Sequence, residues 1–264
     1  MNRKKFVALS LLTSMAACTV PNSDKKINYN NKLFISVPSS MYSAMKLVKD
    51  IYQNKNSDIE ILYNSGSSGA LQQQIERGAP VDVFISASSK QIDFLLKKDL
   101  LIKESSKIFL KNTMVLVASS KSIEKINLNT LINGDFKKLA LGELRSVPAG
   151  QYAKEALISL KVYEKLEPKF IFGKNVRQVL FYVESGNADL GIVYITDLKN
   201  ANDVRLTNIP YNLHSPITYQ IAIVKSSQNI DEARKFINFL LVEKTQNIFQ
   251  NYGFIGINNQ KNLI

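Results

Sequence analysis

Three times between Leu33 and Lys97 the chain runs through the same order: a short apolar stretch, a turn carrying serine, and a helical pattern. The first unit is Leu33–Val37, then Pro38-Ser39-Ser40, then Ala44, Met45, Val48 and Ile51 along one helical face. The second is Ile59–Asn64, the small-residue run Ser65-Gly66-Ser67-Ser68-Gly69-Ala70, and a helix that pairs Leu71 with Ile75 and stops at Gly78. The third is Val81–Ser86, Ser88-Ser89, and a helix with Ile92, Leu95 and Leu96. Alternation of this kind predicts a parallel sheet covered by helices on both faces. In such sheets ligands bind beyond the carboxyl ends of the strands, and Ser40 and Ser68 both fall there. A helix start offers free N–H groups and the positive end of a dipole, a setting for an anion. A serine that merely caps its own helix is the other reading of the same turns.

The remainder alternates again without repeating the first part as sequence. Asn112–Ala118 reads as a strand, residues 126–136 as a connection with a short helix, and Leu139–Leu141 as a strand. Pro148-Ala149-Gly150 opens a helix with Tyr152, Ala156, Leu157 and Leu160 inward, since proline suits a first helical position. Lys169–Phe172 is a strand, Asn175 caps a helix that begins at Val176, and Ala188–Tyr194 is a strand ending in a tyrosine. Tyr219–Val224 is a late strand and Asp231–Gln250 reads as one long helix. The expected fold class is α/β. Two α/β lobes with mostly parallel sheets are joined by a two-crossover hinge, with a ligand cleft between them. Lobe I takes residues 33–112 plus about 220–264, and lobe II takes residues 113–219.

The first seventeen residues carry Arg3, Lys4 and Lys5, an apolar run from Phe6 to Leu12 and small residues after it, with no acid. That pattern is a secretory signal peptide, too short to span a bilayer. It ends Met15-Ala16-Ala17-Cys18, which resembles a bacterial lipoprotein signal with Cys18 as the lipid-bearing residue. Plain cleavage after Ala16 is the competing reading. Residues 18–32 then form anchor and tether, polar and aperiodic. The expected location is periplasmic, held at the membrane as a lipoprotein. Cys18 is the single cysteine, which excludes an internal disulfide and a thiolate metal site. The formal net charge is +12, but the excess is scattered, with no basic stripe or known module that would point to nucleic acid.

Several blocks resemble the ModA family, the molybdate-binding proteins that feed ABC transporters. They are Pro38-Ser39-Ser40, Ser67-Ser68-Gly69-Ala70-Leu71 through Pro80, Asp82–Ala87, Val147-Pro-Ala-Gly-Gln-Tyr-Ala153 through Leu157, Asn175-Val-Arg177, and Leu190-Gly-Ile-Val-Tyr194. The resemblance runs from about Leu33 to Phe254 in order and at similar spacing. It implies a solute-binding protein that captures molybdate or tungstate between the lobes and delivers it to an ABC permease in the inner membrane. It implies no cofactor and no metal held as a cation, because molybdenum arrives as an oxyanion. Carried over position by position, the oxyanion contacts are the hydroxyl and N–H of Ser40 and of Ser68, the N–H of Ala149 and of Val176, and the phenol of Tyr194. One departure is Val37-Pro38, where the family carries small residues; proline removes a backbone donor. The expected protein is a monomer and not an enzyme.

Other classes follow from the same residues. Gly66-Ser67-Ser68-Gly69-Ala70 comes near the Gly-x-Ser-x-Gly elbow of hydrolases, with Ser68 as nucleophile, His214 as base and Asp189 or Asp197 as orienter. The final glycine is missing, and His214 is the sole histidine, in an expected solvated loop. The same fold binding sulfate or another oxyanion is a nearer alternative. Iron binding would call for paired tyrosines, histidine or carboxylates, and only Tyr194 falls in the expected cleft. No Gly-x-x-x-x-Gly-Lys motif is present, so energy coupling would lie in another chain.

Overall fold

The computed structural model describes residues 32–120, 125–201 and 203–257. The signal segment, Cys18 and most of the tether lie outside them. In chain order the elements are β1 (Lys32–Pro38), α1 (Tyr42–Lys55), β2 (Glu60–Gly66), α2 (Ser68–Glu76), β3 (Val83–Ser86), α3 (Ser89–Lys97), β4 (Lys107–Lys111) and β5 (Met114–Ser119). Then come α4 (Leu128–Asn133), β6 (Leu139–Gly142), α5 (Pro148–Ser159), α6 (Tyr163–Leu166), β7 (Phe170–Gly173), α7 (Val176–Glu184), β8 (Leu190–Tyr194) and β9 (Val204–Asn208). The chain closes with β10 (Thr218–Ile223), α8 (Ile230–Leu241), α9 (Glu243–Asn251) and β11 (Ile255–Gly256).

The strands form two sheets, ordered β11-β4-β10-β3-β1-β2 and β7-β6-β8-β5-β9. Residues 112–113 carry the chain from the first sheet to the second, and residues 209–217 carry it back. Each sheet is mixed. The predicted βαβ units give parallel pairs, β1 with β2 and β3, and β6 with β7 and β8. The strands beside the crossings, β10, β4, β5 and β9, pair antiparallel. A crossing strand enters its new sheet from the cleft end, against the direction of the strands already there.

The first sheet is covered on both faces, as its continuous apolar strands require. In β3, Val83 and Ile85 face the core shared with α1 and α8, while Phe84 packs on the other side with Leu71, Ile75, Ile92 and Leu95 of α2 and α3. The long helix expected at Asp231–Gln250 is two helices. Val242 between them is extended at φ −70°, ψ 147°, and Phe249 turns onto Phe109 of β4, which seats α9 and β11 at the sheet edge. Asp82 ties this return to the sheet: its carboxylate accepts from Phe34 N, Ser227 Oγ and Asn229 Nδ2. No helix among the described residues is long and apolar enough to cross a membrane.

Register places the turns that matter at one location. In the β1–β2 pair Pro38 stands opposite Gly66, so the turns carrying Ser40 and Ser68 leave the sheet side by side. In the β6–β7 pair Gly142 stands opposite Gly173, so the starts of α5 and α7 leave the second sheet together. β8 is parallel to β6 and ends there too, at Tyr194.

Candidate functional site

One small cavity, about 10 Å³, is lined by Ser40, Ser68, Ala149, Val176 and Tyr194 together. The first two belong to the lobe of the first sheet and the other three to that of the second. Every residue lining it is uncharged. Each helix start is built so that the cavity-facing donor is left over. At α2 the cap is Ser67, whose Oγ accepts from Ala70 N; Ser68 is therefore not the cap. Ser68 Oγ accepts from Ala87 N at 3.0 Å, which leaves its own proton to give. At α5 the cap position is Val147, which offers no side-chain bond, and Pro148 follows with no N–H. Ala149 thus supplies the first amide of that helix, and first-turn amides have no intrahelical acceptor. At α7 Asn175 Oδ1 accepts from Gln178 N, and Val176 keeps its amide. Gly150 explains how α5 comes so near the sheet: a Cβ there would lie 2.0 Å from the carbonyl oxygen of Gly142.

Tyr194 is buried, and its phenol oxygen has no partner within the described residues. Burial pushes its pKa well above the usual phenol value, with Tyr219, Tyr152 and Asp197 adding to the shift. It stays protonated, and an unmet buried O–H is a donor waiting for an acceptor. Ser40 does not cap α1, which has no side-chain cap. Its Oγ lies 2.7 Å from the hydroxyl of Tyr219. Tyr219 also accepts from Asn112 Nδ2, and the same amide nitrogen donates to Thr196 Oγ1. These residues escaped the reading of the sequence because Tyr219 is 179 positions from Ser40 and 107 from Asn112.

The two lobes touch around the cavity. Gly69 N donates to Ser146 O at 2.9 Å, and a Cβ on Gly69 would sit 2.5 Å from that oxygen. Arg177, one residue past Val176, donates to Ser43 Oγ at 2.6 Å and lies 5.3 Å from the centre of the Tyr42 ring. Behind Tyr194 lies the half-buried Asp197, whose Oδ1 is shielded from solvent and whose Oδ2 accepts from Tyr194 N. Burial raises it to about 7, against the lowering effects of that N–H and of Arg177.

The hydrolase arrangement is not assembled. His214 lines a separate cavity beside Lys111–Met114 and Ile209–Pro210, whereas Ser68 faces the cavity just described, where no imidazole lies. Asp189 is occupied by the amides of Lys137 and Lys138, and no bond joins Asp197 to His214. Nor is His214 freely solvated: it is half-buried, Nδ1 is 2.8 Å from Ser215 O, and Nε2 is buried. Tyr194 is the lone tyrosine lining this small cavity, and no group of three or more potential metal-ligating side chains occurs among the described residues.

Two lobes of α/β structure, crossed twice by the chain and meeting at a cavity of neutral donors, define a two-lobed solute-binding protein. The chain belongs to the bacterial extracellular solute-binding protein family, whose model matches residues 33–255. A protein of Bacillus subtilis named as an ABC transporter substrate-binding lipoprotein, YvgL, is 35% identical over 250 residues, 94% of this chain and 96% of its own. The molybdate-binding protein ModA of Haemophilus influenzae is 36% identical over 230 residues, 84% of this chain and 89% of its own. A solved substrate-binding domain assigned to a molybdenum ABC transporter of Clostridium difficile is 42% identical, with a TM-score of 0.67, and covers 85% of this chain and 98% of its own.

Proposed function

We propose that this protein captures molybdate, or the nearly isosteric tungstate, between its lobes and delivers it to an ABC permease. The observation that carries the reading is the single uncharged cavity bounded by Ser40, Ser68, Ala149, Val176 and Tyr194. A tetrahedral dianion presents four oxygens that only accept hydrogen bonds. The hydroxyls of Ser40, Ser68 and Tyr194 and the amides of Ser40, Ser68, Ala149 and Val176 only need to donate. A protonated phosphate brings a donor to a site that offers donors, so it is rejected. Sulfate has the right charge but is smaller, so donors placed for molybdate reach it with longer bonds. The relatives named for molybdate support the choice of ligand.

The same reading makes the protein a carrier and not an enzyme, working as a monomer without a cofactor. Its lobes divide at residues 112–113 and 209–217, where the chain crosses between the two sheets. Cys18 is its lipid attachment and the periplasmic face of the membrane its location; the relationship to a protein named as a lipoprotein supports this.

The test is thermal unfolding of the purified protein with molybdate, tungstate, sulfate, phosphate and ferric citrate. A ligand at a hundred times its dissociation constant adds about 2.7 kcal/mol of stability, several degrees in Tm. Shifts with molybdate and tungstate alone are expected. A shift with sulfate or phosphate alone overturns the ligand, and no shift with any of them overturns the binding role.

A further inference from the structure

We propose that Asn112 and Tyr219 are positioning residues that set the direction of the Ser40 hydroxyl, so that its proton faces the anion. The inference rests on the anion-binding reading of the cavity. The orientation of the Asn112 amide is fixed by its neighbour: Thr113 N donates to Oδ1 at 2.8 Å, so the NH2 group lies on the opposite side. Both of its hydrogens are used, toward Thr196 Oγ1 at 2.9 Å and toward the Tyr219 oxygen at 3.1 Å. The Tyr219 oxygen therefore accepts, and its own hydrogen goes to Ser40 Oγ at 2.7 Å. Ser40 Oγ is in turn occupied as an acceptor, and its hydrogen is left for the cavity. All four side chains are nine-tenths or more buried, so water does not scramble the order.

The chain of bonds begins at the first crossing between the sheets, since Asn112 lies between β4 and β5. It includes Thr196, which follows β8 of the second sheet, and Tyr219 of β10, just after the return crossing. The hinge thus sets a donor in the binding site through bond polarity.

Asn112→Asp keeps the shape and the Thr113 contact but turns the donor into an acceptor. Tyr219 then gives its proton to residue 112, Ser40 gives its proton to Tyr219, and the cavity loses a donor. Molybdate affinity, measured by titration calorimetry, is expected to fall about tenfold or more. The added charge alone would also weaken an anion, so the deciding variant is Asn112→Asp with Tyr219→Phe. With no phenol to draw the Ser40 proton away, most of the loss is recovered. If the double variant binds as weakly as Asn112→Asp, the relay is overturned and only charge remains. Should Asn112→Asp not fold, Tyr219→Phe is compared in the wild-type and Ser40→Ala backgrounds. Weakening in the first and none in the second supports the relay, and equal weakening in both overturns it. Wild-type protein that binds no oxyanion would remove the parent reading as well, whereas wild-type binding without coupling removes the relay alone.

Discussion

At the scale of single residues, Tyr194 is the clearest unmet donor of the proposed site. Its hydroxyl is buried without a partner, so the ligand-free protein gains nothing from it. Tyr194→Phe should leave the ligand-free Tm unchanged or slightly raised. Molybdate binding should weaken about ten- to a hundredfold, the value of one hydrogen bond to a charged group. A large fall in ligand-free Tm would show that the hydroxyl has a structural partner after all. Asp197 predicts a pH effect. Burial pushes its carboxyl up to about 7, against an ordinary value of 3.8. Between those values the folded protein holds a proton that the unfolded chain has released, so stability falls as pH rises through that window. Asp197→Asn keeps an acceptor for Tyr194 N and abolishes the titration. The Tm of the variant relative to wild type should therefore climb between pH 4 and pH 7 and level off above, and a constant difference would refute the assignment.

At the scale of elements, two glycines separate folding from closing. Gly150 of α5 presses on Gly142 of β6 within one lobe, and Gly150→Ala should cost about 1–3 kcal/mol of stability from overpacking. Gly69 of α2 meets Ser146 across the seam between lobes. Alanine is the better helix former, so Gly69→Ala should not lower the ligand-free Tm. It should instead weaken molybdate binding at least about tenfold, because overpacking obstructs the closed arrangement. Calorimetry beside thermal unfolding checks both, and a Gly69→Ala protein that binds normally would show that the seam is not part of the bound state. The helix starts and the buried strands were legible in the sequence because proline, asparagine and serine caps and continuous apolar runs have local causes. The strands β4 and β9 were not. Lys107-Ile-Phe-Leu-Lys111 and Val204-Arg-Leu-Thr-Asn208 mix charge with apolar residues, as strands with one exposed face do, and resemble loops. The break at Val242 was hidden because Phe236, Ile237, Leu240, Leu241, Ile248 and Phe249 keep a helical spacing across it. Ala149 and Val176 act through the backbone, which leaves no side-chain signature. Only their place after Pro148 and Asn175, and the likeness to a known family, marked them.

At the scale of the whole molecule, the chain joins its lobes by residues 112–113 and 209–217, and the rest of each lobe is its own sheet with its own helices. Such an arrangement moves by hinge rotation with little change inside each lobe. Small-angle scattering should show a smaller radius of gyration when molybdate saturates the protein than when it is absent. An unchanged radius would mean that the lobes are already held together without ligand. Contacts that span the cleft away from the cavity include Arg177 to Ser43 and Tyr42, Gly69 to Ser146, and Lys199 over the Tyr252 ring.

The seam at Gly69 and Ser146 has a kinetic consequence. An ion enclosed by walls from both lobes cannot leave one bond at a time, because its exit is the parting of the lobes. Its residence time is then the waiting time of that parting, and loss of a single donor shortens it only by making the parted state easier to reach. A receiver that draws the lobes apart empties the site at once, without offering the ion anything stronger to hold.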